Sequence, residues 1–209
     1  GDAERTMNTF LGASAQLSKR EIDDSALLNS EWLYIEGYLA TSIKHTEMAA
    51  DIIKFAKASS VKVALSLSDP FVVEAYADNL RQIIGPGVDH IFCNKVEAIA
   101  FTGTPNEDEA ASDLCKYSTS HVITSGAGGA RCFDGEHMIF SQNNHPTTPF
   151  LTFSSFFLES LGLVGKVFAH SVRVFPTPSA IPKALRVKKI NVKPKPYIYI
   201  IWYIYIYIY

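Results

Sequence analysis

The sequence predicts an α/β protein: a three-layer, mainly parallel sheet with helices on both faces, followed by an irregular C-terminal tail. Two observations carry this reading. Apolar runs of strand length alternate four times with stretches of helical periodicity across short connections, a pattern that builds parallel sheets through right-handed crossovers. Charge is also divided unevenly: residues 1–149 hold 11 Lys and Arg against 20 Asp and Glu, net −9, whereas residues 150–209 hold 8 against 1, net +7. Such asymmetry points to stretches of different origin. We therefore divide the chain into an ordered part, residues 1–141, and a divergent low-complexity tail, residues 142–209, not native to the fold.

The elements follow in order. Residues 1–14 offer Thr6, Thr9 and Phe10 for a short strand. Residues 23–30 suit a short helix, and Trp32-Leu33-Tyr34-Ile35 is a compact apolar run of strand length that delivers Glu36 to its carboxyl end. Residues 46–59 place Ala49, Ile52, Ile53 and Ala56 on one helical face. Residues 61–67 are nearly all apolar, as strands of a parallel sheet covered on both faces are. Asp69-Pro70 closes that strand, and the helix over residues 71–84 stops at Gly85-Pro86-Gly87. A strand around His90 to Cys93, a helix opening at Asn94, an acidic helix over residues 107–117 and a strand around Val122 complete the alternation. A hairpin through Asp134-Gly135 then follows.

Two phrases sit just past strand ends, where open α/β sheets bind ligands. In Asn94-Lys95-Val96-Glu97 an amide and a carboxylate three residues apart share one face near a helix amino terminus. They can position a hydrated magnesium ion, with Glu97 acting through water, since magnesium keeps several of its waters. The same spacing suits an N-cap and its capping-box partner. In Thr124-Ser125-Gly126-Ala127-Gly128-Gly129 the glycines let backbone approach a ligand and can form an anion-binding nest, or simply make a tight turn.

Taken in order, these phrases resemble the ribokinase or PfkB family of sugar and nucleoside kinases. The matching residues are N-x-x-E at Asn94 to Glu97, T-x-G-x-x-G at Thr124 to Gly129, and upstream Gly1-Asp2-Ala3-Glu4-Arg5-Thr6-Met7 and Tyr34-Ile35-Glu36-Gly37-Tyr38-Leu39. The resemblance covers residues 1–141. It implies ATP and Mg2+ as cofactors, with Asn94 and Glu97 positioning metal and phosphate. It further implies nucleotide binding at Thr124, Ser125, Gly126 and Gly129, Arg5 and Glu36 near the substrate, and a sugar or nucleoside as the second ligand of the intact parent.

The resemblance stops where a family member would run into an Asp-Thr-x-Gly-Ala-Gly-Asp phrase, which supplies the anion hole and the general base. This chain reads Gln142-Asn143-Asn144-His145-Pro146-Thr147-Thr148-Pro149-Phe150, and no Gly-Ala-Gly-Asp occurs in it. The family's amino-terminal substrate motif is also missing. The expectation is a kinase fragment without activity of its own; a non-catalytic α/β nucleotide-binding or interaction module is the alternative. A dinucleotide-binding oxidoreductase fits less well, because the glycine turn leads into a hairpin rather than a helix.

The tail is rich in Phe, Leu and Val over residues 150–175 and in Pro and Lys over 176–196, and is almost purely Tyr and Ile over 197–209. Alternating T and A in DNA encodes Tyr-Ile-Tyr-Ile in any frame, so the tail looks like translation through a simple repeat. It argues against a membrane anchor, since a spanning helix needs about 20 apolar residues; Phe153, Phe157, Leu161, Val164 and Phe168 would still form a helical stripe. Cys93, Cys115 and Cys132 have no metal-like spacing and read as reduced thiols. No secretory signal is read at the start, so a cytoplasmic protein is expected, with no nucleic-acid partner.

Overall fold

A computed structural model describes residues 7–10, 15–141, 198–201 and 205–208. Its centre is a seven-stranded sheet in the order β7-β6-β5-β4-β3-β2-β8. The strands are β2 (Trp32–Glu36), β3 (Lys62–Ser66), β4 (Val88–Asn94), β5 (Ser118–Thr124), β6 (Ala130–Phe133), β7 (Met138–Ser141) and β8 (Ile198–Ile201). β2 to β5 run parallel in sequential order, and β8 adds to β2 in parallel; β6 and β7 turn back as an antiparallel pair. β1 (Met7–Phe10) pairs antiparallel with β9 (Tyr205–Ile208) in a separate two-stranded sheet.

The helices are α1 (Asp24–Leu28), α2 (Ile43–Ala58), α3 (Pro70–Ile84), α4 (Lys95–Thr102) and α5 (Glu107–Leu114). Their starts are written in the sequence. Asp69 caps α3 by accepting the Phe71 N–H at 2.8 Å with Pro70 at the first helical position, and Asn106 accepts the Glu109 N–H at 3.0 Å to cap α5. Gly103, at φ +70°, closes α4 in the left-handed conformation that glycine adopts without steric cost.

Buried residues of α2 to α5 join Leu33, Ile35, Val63, Leu65, Ile91, Cys93 and Ile123 in one core. These strand residues alternate along the chain and so lie on one face of the sheet. The sequence reading places helices on both faces; the described helices occupy one, because successive right-handed crossovers in one direction along a sheet return on the same side. The opposite face carries Trp32, Tyr34, Ala64, Phe92 and Val122, a cluster to which no helix residue among the described ones belongs. His90 and His121 are buried in strands and pushed down, mainly by that burial, to about 3 and about 4, so both are neutral structural side chains.

The tail is expected to be irregular, and most of it (residues 142–197) lies outside the described residues, including the stripe from Phe153 to Phe168. Two four-residue strands within it are recorded, β8 and β9. Uncharged Tyr-Ile repeats favour extended backbone, and β8 meets the outer edge of β2, whose N–H and C=O groups need a partner. No helix among the described residues is long and apolar enough to cross a membrane.

Candidate functional site

The parallel strands deliver the expected residues to one edge. Glu36 pairs with Ser66 at the ends of β2 and β3, and Asn94 pairs with Thr124 at the ends of β4 and β5. The two phrases singled out in the sequence therefore leave adjacent strands side by side, at the carboxyl edge where such sheets bind ligands.

Asn94 and Glu97 form a full capping box at the start of α4. The Asn94 side-chain oxygen accepts the Glu97 N–H at 2.8 Å, and the Glu97 carboxylate accepts the Asn94 N–H at 2.9 Å and its side-chain amide at 2.7 Å. Of the two roles the sequence left open, the cap is thus realised. Glu97 is also 5% exposed, and burial pushes its carboxyl up to about 7, opposed by the Asn94 backbone bond and aided by the negative charges of Asp69 and Glu36. A carboxylate so placed favours a cation nearby.

Glu36 is partly buried and fully engaged. One oxygen accepts the Tyr34 hydroxyl and the other the Ser68 hydroxyl, each at 2.9 Å, while Ser68 Oγ accepts the Gly37 N–H at 2.7 Å. Burial raises the Glu36 carboxyl despite these bonds, which favour its charged form. Ser68 holds φ at +73°, a left-handed conformation uncommon outside glycine, asparagine and aspartate. Nothing in its sequence context signals this; the strain is offset by the bonds Ser68 makes between the ends of β2 and β3.

The glycine phrase folds as one turn of 3-10 helix, Gly126–Gly128, between β5 and β6. Gly126 and Gly129 take φ of +56° and +91°, where a side chain would be strained. The turn uses part of the expected nest itself: Ser125 N–H donates to Gly129 O, Gly128 N–H to Ser125 O and Gly129 N–H to Gly126 O, at 2.8, 2.9 and 3.1 Å. Thr124 Oγ1 donates to Cys93 O at 3.5 Å, and Ser125 Oγ donates to Glu107 at 3.1 Å. Glu107 also lies 3.6 Å from Lys95 Nζ and 3.5 Å from Arg131 Nε. These three charged residues escaped sequence reasoning, because Glu107 stands 18 residues from Ser125 and contributes only to an acidic helix start.

The edge therefore has two characters. Around β2, β3 and α4 it presents the carboxyls of Glu36, Asp69 and Glu97; around the glycine turn it presents N–H groups, hydroxyls, Lys95 and Arg131. The second part suits phosphate oxygens, and the first suits hydroxyl groups or a hydrated cation. Among the described residues no group of three His, Cys, Asp or Glu could hold a metal ion directly. Arg5 lies outside the described residues.

No curated protein matches the chain. Among solved structures, an adenosine kinase from Sinorhizobium meliloti is 24% identical with a TM-score of 0.58, covering 62% of this chain and 40% of its own. A Rhizobium etli CFN 42 protein assigned as a sugar kinase is 22% identical with a TM-score of 0.62, covering 70% of this chain and 47% of its own. An E. coli protein assigned as Ribokinase II, in complex with ATP and Mg2+, is 14% identical with a TM-score of 0.54, covering 63% of this chain and 44% of its own. The chain spans less than half the length of each, and at these identities the likeness shows the fold. The profile of the pfkB family carbohydrate kinases matches residues 1–150, so the chain belongs to the pfkB family.

Proposed function

We propose that this chain carries the nucleotide-binding part of an ATP-dependent carbohydrate or nucleoside kinase, whose intact parent transfers the γ-phosphate of ATP to a hydroxymethyl group of a sugar or nucleoside with Mg2+. One observation carries the reading: Asn94 and Thr124 stand in register at the ends of neighbouring parallel strands, so the half-buried Asn94 with its buried partner Glu97 and the glycine turn share one edge. In this reading Thr124, Ser125, Gly126 and Gly129 contact the nucleotide, and Arg5 and Glu36 lie toward the acceptor. Each Glu97 oxygen already accepts a hydrogen bond from Asn94, so its fit is to a magnesium ion held through water, and when bound that ion would neutralise phosphate charge.

The same reading makes the chain inactive alone. Phosphoryl transfer depends on positioning and charge stabilisation. Loss of a general base costs about 10²–10⁴-fold, and loss of an anion hole a comparable factor. With Gly-Ala-Gly-Asp absent, binding without turnover is the expected behaviour. We place the kinase-derived domain at residues 1–141, assign the tail to a different origin, and take the three cysteines to be reduced in the cytoplasm.

Titration calorimetry at pH 8, where Glu97 is ionised, tests the site. Glu97→Gln is expected to weaken Mg·ATP more than metal-free ATP, by about tenfold for the loss of one charge acting through water. Gly126→Val is expected to weaken both alike, by straining the turn. Equal effects of Glu97→Gln with and without magnesium would reduce the pair to a helix cap, and absence of ATP binding by the parent chain would remove the nucleotide site.

A further inference from the structure

Glu107 is the first helical residue of α5, and its two oxygens meet donors from three other elements. Ser125 Oγ, from the glycine turn, donates to it at 3.1 Å; Lys95 Nζ, from the first residue of α4, lies 3.6 Å away and Arg131 Nε, from β6, 3.5 Å away. The Glu107 and Arg131 side chains are each 16% exposed. Both cation distances exceed the span of about 2.7–2.9 Å for a charge-assisted hydrogen bond. Arg131 Nε is buried yet makes no hydrogen bond, although the guanidinium also pairs with Asp108 and lies 4.7 Å from the Phe140 ring centre. The two cations are gathered around Glu107 without a hydrogen bond to it, while Ser125 donates one.

An ammonium, a guanidinium and a hydroxyl converging beside a glycine turn are a donor set for phosphate oxygens. We propose that Lys95, Ser125 and Arg131 form an anion-binding cluster for a polyphosphate chain, and that Glu107 is an internal competitor filling it until the phosphates enter. The inference rests on reading the glycine turn as the nucleotide side of the site. An entering phosphate takes over the Ser125 hydroxyl and the two cations. Glu107 is then released toward solvent at the start of α5, where the helix dipole still favours its charge.

The test is calorimetric titration of inorganic tripolyphosphate and of ATP, both without metal, into the parent chain, Glu107→Gln and Lys95→Met. Gln keeps an oxygen for Ser125 and removes the competing charge, so tripolyphosphate should bind about tenfold more tightly, equivalent to about 1.4 kcal/mol. Lys95→Met should weaken it by a similar factor and flatten its salt dependence. Lys95 is 53% exposed, so this arm stands even where Glu107→Gln lowers the melting temperature. Tripolyphosphate affinity unmoved by both substitutions, or absent throughout, overturns the proposal and leaves Glu107 as a tie between α5 and the turn. The reading beneath it fails differently: ATP binding no more tightly than tripolyphosphate would remove the nucleotide and leave the anion cluster.

Discussion

Gly37→Ala is expected to destabilise the protein by about 3 kcal/mol, the upper end of what overpacking usually costs. A Cβ at Gly37 would stand 2.7 Å from both Leu67 O and Ser66 O and 3.0 Å from Leu67 C, all backbone atoms at the end of β3 that cannot swing aside. Relief requires separating the ends of β2 and β3. That movement also stretches the Gly37 N–H to Ser68 Oγ bond and, through Ser68, the grip on Glu36. Gly103→Ala supplies the contrast: Gly103 holds φ at +70° with open space around it, so the cost there is only that of an L-residue in the left-handed region, about 1–2 kcal/mol. Urea unfolding of the two variants beside the parent measures both. A Gly37→Ala variant within about 0.5 kcal/mol of the parent, the usual scatter of harmless surface changes, would show that the two strand ends are not locked together.

Glu97→Gln is expected to gain stability relative to the parent as pH rises from about 4.5 to 7. The Glu97 carboxyl lies near 7 in the folded state against a model-peptide value of 4.5. Across that interval the native state keeps a proton on Glu97 that the unfolded chain has released, so the contribution of Glu97 to stability falls as pH rises and levels off above 7. The displacement corresponds to about 3 kcal/mol at about 1.4 kcal/mol per pH unit. Gln serves the third position of a capping box and carries no charge to bury. Unfolding midpoints at pH 5, 6, 7 and 8 should show the variant gaining on the parent as pH rises, while the contributions of Glu36, raised in the folded state, and of His90 and His121, lowered in it, are common to both proteins and cancel in the difference. Parallel curves for the two proteins would place the Glu97 carboxyl in the ordinary range.

Much of this was legible from local chemistry. A nearly continuous apolar run from Val63 to Leu67, interrupted only by Ser66, announced a strand of a parallel sheet, Asp69-Pro70 the start of α3, and Asn94 with Glu97 the box that opens α4. Each signal is complete within a few residues. The one-sided placement of α2 to α5 was not legible, because periodicity says which face of a helix is apolar and nothing about strand order. Pairing of β8 with β2 was equally hidden: a Tyr-Ile repeat favours strands everywhere along it, so its register is set by the edge it meets. The left-handed Ser68 and the Glu107 network depend on partners 18 to 32 residues away, which no local pattern reports.

The central claim, that the start of α4 and the glycine turn make one nucleotide site on the carboxyl edge of the sheet, is tested most directly by amide-resolved NMR during titration with Mg·ATP. The account predicts shifts concentrated at Lys95 to Glu97 and at Ser125 to Gly129. Residues at the opposite ends of the same strands, Lys62, Val88 and Ser118, should stay unmoved. Shifts centred on those distant strand ends, or on the glycine turn without the start of α4, would contradict a shared site.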